Sequence, residues 1–417
     1  MDIWHVWGGK KLHGACFVQG SKNASLPIIA ASLICPLRSE LMNVPQLRDV
    51  DAALRILRHL GCSAEQSGSD VYIDSAGMTG SSIDHTLMEE MRSSVFFMGA
   101  LIARCGEARL SLPGGCQLGE RPIDLHLSAL RQMGVSIEEN GGEIYCRAEK
   151  ICPAEIFLPF PSVGATENIM LCACAAEGET VIHNAAREPE IKALQDYLCT
   201  IGARVSGAGS SVITISGIEP QTHVGYRIIP DRIVASTLVC AAAATGGDIE
   251  LRGIDPGQFS TVLDFINKAG CDIISTGRSV RVISNGKLRA VGKISTEPYP
   301  GFPTDAQPVL MAALLKARGK TEITENIFEN RYRQAAELCR LGADITVRGR
   351  QAEIWGVDCL QGNVLNATDL RGGAAMIIAG LCAEGETVIC DVGHIRRGYE
   401  RFDARLRSLG ADIFLEH

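Results

Sequence analysis

Two kinds of helical stretch alternate along the chain, told apart by the distribution of their apolar residues. Residues 94–103, 234–244 and 373–382 are small and apolar nearly all the way round, which predicts helices buried on every side. Val50, Ala53, Leu54, Leu57 and Leu60 instead recur at helical spacing with charged residues opposite, which predicts a helix with one face on a core. Short alternating runs follow, as in Val135-Ser136-Ile137-Glu138 and then Glu143-Ile144-Tyr145-Cys146, read as two strands joined by a turn.

These elements repeat six times. Leu60-Gly61-Cys62, Met133-Gly134-Val135, Ile201-Gly202-Ala203, Ala269-Gly270-Cys271, Leu341-Gly342-Ala343 and Leu409-Gly410-Ala411 each end an amphipathic helix, with glycine spacings of 73, 68, 68, 72 and 68. Glycine fits there because helices commonly close on a residue of positive φ. A second signature follows the buried helices: Gly106-Glu107-Ala108, Gly178-Glu179-Thr180, Gly247-Asp248-Ile249, Gly319-Lys320-Thr321 and Gly385-Glu386-Thr387, with Arg38-Ser39-Glu40 in the first copy. Each unit of about 70 residues reads buried helix, strand, exposed helix, strand, turn, strand. Parallel strands joined through helices require right-handed crossovers.

The expected fold is therefore α/β, with two similar domains of three repeats each. Residues 22–229 would form the first domain; 1–21 and 230–417 would form a discontinuous second. Residues 11–18 read as a strand and are expected to supply the one that the last unit, ending at His417, lacks.

Composition narrows the class. A chain of 417 residues, 46% hydrophobic and 21% charged, is too long for one ordinary core. No apolar run approaches the ~18–20 residues of a membrane helix, and Met1 to Lys11 lack the apolar stretch of a signal peptide. A cytoplasmic protein without a membrane partner is expected. The net charge of −8 argues against nucleic acid as a partner. The 16 cysteines include no C-x-x-C pair, so a zinc site is not expected; no other metal and no cofactor is expected either. Cys172 and Cys174 read as small hydrophobes of a buried helix. The oligomeric state stays open.

Candidate chemistry sits in the loops ahead of helices. Lys22, Arg92, Ser162, Arg232, Asp305 and Arg371 precede the buried helices at intervals of 70, 70, 70, 73 and 66; Arg121, Glu188, Arg331 and Arg397 precede the exposed ones. Helix N-termini already favour anions, and a cation there opposes the macrodipole by roughly a few tenths of a kcal/mol. A single arginine in such a place reads equally well as a solvated charge. Seven positive residues across the two sets point to an anionic ligand held between the domains. Arg exceeds Lys 30 to 10, which suits phosphate and carboxylate recognition, although genomic base composition explains it equally. Cys116 differs from the other cysteines, lying in a glycine-rich loop, Pro113-Gly114-Gly115-Cys116-Gln117-Leu118-Gly119-Glu120-Arg121-Pro122. Arg121 favours its thiolate and Glu120 opposes it.

Taken together, Gly20-Ser21-Lys22-Asn23-Ala24-Ser25-Leu26-Pro27, Gly114-Gly115-Cys116, Arg121-Pro122-Ile123-Asp124-Leu125-His126, Ser162-Val163-Gly164-Ala165-Thr166, Phe302-Pro303-Thr304-Asp305, Glu329-Asn330-Arg331 and Arg397-Gly398-Tyr399-Glu400 resemble the UDP-N-acetylglucosamine 1-carboxyvinyltransferases (MurA) among the enolpyruvyl transferases. The resemblance runs from about residue 8 to the end, in order and spacing. It implies a two-domain inside-out α/β barrel with its active site in the cleft. It further implies transfer of enolpyruvyl from phosphoenolpyruvate to the 3′-hydroxyl of UDP-N-acetylglucosamine with release of phosphate. That reaction is the first committed step of peptidoglycan synthesis in a bacterial cytoplasm, and the target of fosfomycin.

Carried over residue by residue, the resemblance implies that Lys22, Arg121 and Arg397 hold phosphoenolpyruvate, with Arg92 and Asn23 beside it. Asn23, Arg92, Arg121, Pro122, Ile123, Asp124, Leu125, Ser162, Val163, Gly164, Asp305 and Ile327 would hold the nucleotide sugar. Asp305 would take the proton of the sugar hydroxyl and Cys116 would act as the acid, covalently or not, with Lys22 and Arg397 also counted as catalytic. Glu188, Arg232, Arg331, Asp369 and Arg371 would support them. Phosphoenolpyruvate carries about three negative charges, so three or four fixed cations are a sensible complement. Its C–O bond breaks rather than a phosphoryl group moving, so no magnesium clamp is implied.

Rival readings are 5-enolpyruvylshikimate-3-phosphate synthase, another nucleotide enolpyruvyl transferase, and a non-catalytic nucleotide-sugar-binding regulator. The Cys116 loop and Ser162-Val163-Gly164 oppose the first. The presence of Lys22, Cys116, Asp305 and Arg397 opposes the last.

Overall fold

The structure, a computed structural model, describes residues 3–91, 94–111 and 123–416. These fall into two compact units, one of residues 3–19 and 230–416 and one of residues 20–111 and 123–229. Each has its own apolar core, centred on Ile28, Leu54, Leu101 and Leu171 in one and on Val239, Leu310, Ile377 and Leu406 in the other.

Six four-stranded sheets share one topology. In the sheet that shows it most simply, Glu155–Phe157 runs parallel to Thr180–His183, and the helix Val163–Ala173 makes the crossover. Val212–Ile218 and Ala203–Ser206 complete the sheet antiparallel. The corresponding buried helices are Lys22–Ala31, Phe97–Cys105, Arg232–Thr245, Gln307–Ala313 and Leu370–Leu381. Their burial follows from composition: every residue of Arg232–Thr245 up to Ala243 is buried. In the discontinuous unit Arg232–Thr245, Gln307–Ala313 and Leu370–Leu381 all pack on one another. Helices thus lie inside and sheets outside, giving a two-domain inside-out α/β barrel of six repeats, three per domain. The outer helices are one-faced; Arg48–His59 buries Val50, Ala53, Leu54 and Leu57 and exposes Asp51, Arg55 and Arg58.

The terminal strands differ from expectation. Ile3–Trp7, not residues 11–18, completes the last repeat, pairing antiparallel with both Glu386–Cys390 and Asp412–Glu416. The reason is burial. Trp4 and Val6 give Ile3–Trp7 an apolar face for the core, whereas His13–Phe17 has no buried residue and can only be an edge. It lies parallel to Asp248–Arg252, just as His223–Arg227 lies parallel to Arg38–Met42. Each of these edge strands belongs to one unit and the helix following it to the other, with the chain passing between Gln19 and Gly20 and between Ile229 and Pro230. The first passage precedes the expected 21/22 boundary because Ser21 caps Lys22–Ala31 and its N–H donates to Ile229 O at 2.7 Å.

All six repeat glycines have positive φ, between 82° and 108°. Their tolerance of a side chain differs. A Cβ on Gly202 would fall 1.9 Å from Glu219 O, while one on Gly270 would meet nothing within 4 Å. Gly270→Ala should lose only the ~1–2 kcal/mol of left-handed strain, and Gly202→Ala should lower the unfolding temperature further by displacing backbone. Calorimetry on both variants checks this; equal losses would show that φ alone sets the cost.

Candidate active site

In the discontinuous unit the site is built around Asp305. Pro303 leads into the turn Thr304–Ala306, which places Asp305 at the start of the buried helix Gln307–Ala313. The Asp305 side chain is 29% exposed, and the side chains that hold it, Arg331 and Arg371, only 2% and 3%. Arg331 Nη2 donates to Oδ1 at 2.8 Å; Arg371 donates to Oδ2 from Nε at 3.2 Å and Nη2 at 3.0 Å. Such charge-assisted bonds fix the plane of the carboxylate.

The clamp is itself supported. Arg331 also donates to Thr304 O at 3.2 Å, and Arg371 lies over the Tyr399 ring, 5.3 Å from its centroid. The Tyr399 hydroxyl shares a 2.9 Å hydrogen bond with Thr237. Asp369 caps Leu370–Leu381, its Oδ1 accepting from Arg371 N–H at 2.9 Å and Gly372 N–H at 3.0 Å. Ile327 is placed by buried Glu325, whose Oε1 accepts from the N–H groups of Ile327 and Phe328 and whose Oε2 accepts from Thr304 Oγ1 at 3.0 Å. Arg232 sits over the Tyr299 ring at 5.3 Å. Half-buried Arg397 ends the turn Val392–Arg397. Gln19 brackets the residues after it, donating to Gly398 O and accepting from Glu400 N–H.

The other unit presents Lys22 at the first position of Lys22–Ala31, a cation where the macrodipole disfavours one. Asp49, only 1% exposed, accepts from its Nζ at 3.2 Å. Asn23 follows in the same turn, half-buried. Ser162 caps Val163–Ala173 by accepting from Ala165 N–H at 3.3 Å, so Val163 and Gly164 occupy that helix's first turn. Ile123 and Asp124 begin the helix Asp124–Gln132, and Ile123 and Leu125 are half-buried. Glu188 precedes Pro189–Thr200. Its carboxylate and that of Glu190 bear on Glu167, whose carboxyl is raised well above the usual carboxylate range, first by burial and then by these neighbours.

Among the candidates, the structure brings together Asp305, Arg331, Arg371 and Asp369 in one unit, and it pairs Lys22 with Asp49 in the other. Arg92, Cys116, Arg121 and Pro122 lie outside the described residues. Sequence reasoning missed Asp49, Glu325 and Tyr399, whose partners are remote along the chain. It also missed His126, whose ring, beside Gly164, is pushed down to about 4 by burial. Chemically, a fixed carboxylate can orient a hydroxyl and accept its proton, and cations at helix N-termini can hold anionic groups.

Two buried groups set opposite pH dependences. The folded state keeps His126 neutral at about 4 while the unfolded chain protonates it near 6.5, so stability falls as pH drops from 6.5 toward 4. Burial and its acidic neighbours raise the Glu167 carboxyl in the folded state well above the 4.5 of the unfolded chain, so that contribution is lost as pH rises. Glu167→Gln should therefore raise the unfolding temperature more at pH 8 than at pH 5, whereas His126→Phe should flatten the decline on the acid side. Calorimetric scans at the two pH values decide both; a Glu167→Gln effect independent of pH would mean that Glu167 is ionised in the fold.

Comparison with known proteins places the chain. The family model described as EPSP synthase (3-phosphoshikimate 1-carboxyvinyltransferase) matches residues 6–406. UDP-N-acetylglucosamine 1-carboxyvinyltransferase 2 of Caldanaerobacter subterraneus subsp. tengcongensis is 48% identical over 413 residues, covering 99% of both chains. The UDP-N-acetylglucosamine 1-carboxyvinyltransferase of Geotalea uraniireducens is 44% identical with the same coverage. Among solved structures, the enolpyruvyl transferase NikO from Streptomyces tendae superposes with a TM-score of 0.89 at 24% identity, over 99% of this chain and 98% of that one. EPSP synthase from Acinetobacter baumannii gives 0.76 at 20% identity, over the whole of both chains. These two likenesses bear on the fold, and the family match and the full-length relatives bear on descent. The chain belongs to the EPSP synthase family of enolpyruvyl transferases.

Proposed function

We propose that this protein transfers the enolpyruvyl group of phosphoenolpyruvate to the 3′-hydroxyl of UDP-N-acetylglucosamine and releases phosphate. The family match alone leaves the acceptor open. The observation that carries this choice is the 48% identity, across 99% of both chains, with an enzyme named for that acceptor.

On this reading Lys22, Arg121 and Arg397 hold phosphoenolpyruvate, with Arg92 and Asn23 beside it. Asn23, Arg92, Arg121, Pro122, Ile123, Asp124, Leu125, Ser162, Val163, Gly164, Asp305 and Ile327 hold the nucleotide sugar. Protonation of the methylene carbon by an acid, assigned to Cys116, makes the adjacent carbon electrophilic. The sugar oxygen adds there as its proton passes to Asp305. Loss of a methyl proton and of phosphate, with C–O cleavage, then restores the double bond in the product. Arg331 and Arg371 hold Asp305 in one orientation, so that little reorganisation is needed when the hydroxyl arrives. Asp369 fixes Arg371, while Glu188 and Arg232 shape the starts of their own helices.

The product feeds peptidoglycan synthesis in a bacterial cytoplasm, and with it cell shape and division. No described helix is long and apolar enough to cross a membrane. Fosfomycin, an anionic epoxide, would be drawn in by the same cations and alkylate Cys116. Burial raises the thiol of Cys172 to about 12 and that of Cys174 higher still, which leaves both unreactive.

The direct test is phosphate release from phosphoenolpyruvate with UDP-N-acetylglucosamine and shikimate 3-phosphate as competing acceptors. Only the nucleotide sugar should support turnover, and preference for shikimate 3-phosphate would overturn the proposal. Asp305→Asn keeps the shape of the side chain and removes the base, so kcat should fall by a factor on the order of 10²–10⁴. Near-normal turnover with weak binding would leave Asp305 a positioning role only. Cys116→Asp should stay active and resist fosfomycin, Cys116→Ser should be inactive, and peptide mapping should find label on Cys116 rather than on Cys172 or Cys174.

A further inference from the structure

The helix Val163–Ala173 is apolar apart from Thr166, Glu167 and Asn168, and the Asn168 side chain is wholly buried. Its Oδ1 accepts from Gly99 N–H at 2.7 Å. Its Nδ2 donates to Val95 O at 3.0 Å and to His126 Nδ1 at 2.7 Å. Both amide hydrogens and the carbonyl are thereby engaged, and a flipped amide would set Oδ1 against the Val95 carbonyl, so its orientation is determined. Gly99 is the third residue of Phe97–Cys105, so this bond ties the Asn168 side chain to the first turn of that helix. The helices approach as closely as backbone allows, since a Cβ on Gly99 would lie 2.4 Å from Asn168 O.

His126 extends the network. Its ring is neutral, pushed down to about 4 by burial, and its Nδ1 accepts, so its proton resides on Nε2. A Cβ on Gly164 would stand 3.3 Å from that nitrogen, so the ring packs directly on the first turn of the helix that carries Asn168.

We propose that Asn168 is a positioning residue for the nucleotide sugar, a single buried amide that keeps three ligand-bearing segments in register. Val95 follows Arg92 by three residues, His126 directly follows Asp124 and Leu125, and Ser162, Val163 and Gly164 open the helix of Asn168 itself. The inference rests on the function proposed above. A leucine would fill a similar volume without the desolvation cost of a buried amide. What the amide adds is a fixed relation between three helix starts. Asp124, Leu125, Ser162, Val163 and Gly164, on these segments, are assigned to the nucleotide sugar alone and Arg92 to both substrates. Lys22 and Arg397, assigned to phosphoenolpyruvate, lie outside the network, so its loss should fall more on the nucleotide sugar.

The test is initial-rate kinetics with the full-length chain, varying both substrates. Asn168→Leu should raise KM for UDP-N-acetylglucosamine about tenfold or more and KM for phosphoenolpyruvate less than about threefold. Asn168→Asp, which retains the acceptor for Gly99 and loses both donors, should show the same split. A lowered unfolding temperature with both KM values unchanged, or an equal rise in both, would overturn the positioning role. Should neither variant fold, nitrogen NMR on the unaltered protein labelled at histidine decides it. His126 should be the neutral Nε2–H tautomer at pH 7 with and without UDP-N-acetylglucosamine, and a proton on Nδ1 would refute the network. An unaltered protein that fails to turn over UDP-N-acetylglucosamine would instead overturn the function proposal, a result distinct from unchanged KM values in an active enzyme.

Discussion

A helix that is apolar on every side can meet polar groups only at its ends, and buried helices of this kind form the interior of both units, Val163–Ala173 departing from the pattern with its buried Thr166, Glu167 and Asn168. Burial runs through Arg232–Thr245 and Leu370–Leu381 almost without interruption, so charge has no place along their length. It collects in the first turn, where free N–H groups already need partners. Lys22, Ser162, Arg232, Asp305 and Arg371 all stand at such starts. The cations among them oppose the helix macrodipole, and the structure answers that cost locally, with Asp49 against Lys22 and Asp305 against Arg371.

The Asp305 clamp shows what this arrangement achieves. A buried guanidinium without a partner is strongly destabilising, while a paired one mainly specifies geometry. Arg331 and Arg371 reach Asp305 from separate helix starts, and each has a further support, Thr304 O for one and the Tyr399 ring for the other. The carboxylate is therefore held at one orientation while the Asp305 side chain stays partly exposed. The chain's net charge of −8 gives no hint of this, because the cations are few, buried and local.

The repeat was legible in the sequence because its markers are backbone requirements. Glycines at positive φ recur at 61, 134, 202, 270, 342 and 410, and no other residue meets that demand as cheaply. Helices apolar all round were legible for a similar reason. The closing strand was not, since Ile3–Trp7 offers only Trp4 and Val6 as buried positions and residues 11–18 look as strand-like. The clamp residues were individually visible from their spacing, but their pairing was not. Glu325, Tyr399, Asp49 and Asn168 act through contacts between distant segments, such as Asn168 with His126 across 42 positions, and periodicity carries no trace of those. Arg92, Cys116, Arg121 and Pro122 lie outside the described residues, and their roles rest on motif alone.

On the proposed function Asp305, at the start of a buried helix and held by two buried arginines, is where the acceptor hydroxyl reacts. A crystal structure of the protein with UDP-N-acetylglucosamine bound tests it most directly. The 3′-hydroxyl oxygen should lie within about 3 Å of an Asp305 carboxylate oxygen, with Arg331 and Arg371 still bonded to that carboxylate. A nucleotide sugar bound with its 3′-hydroxyl away from Asp305, or bound elsewhere on the protein, would rule out Asp305 as the group that takes the hydroxyl proton.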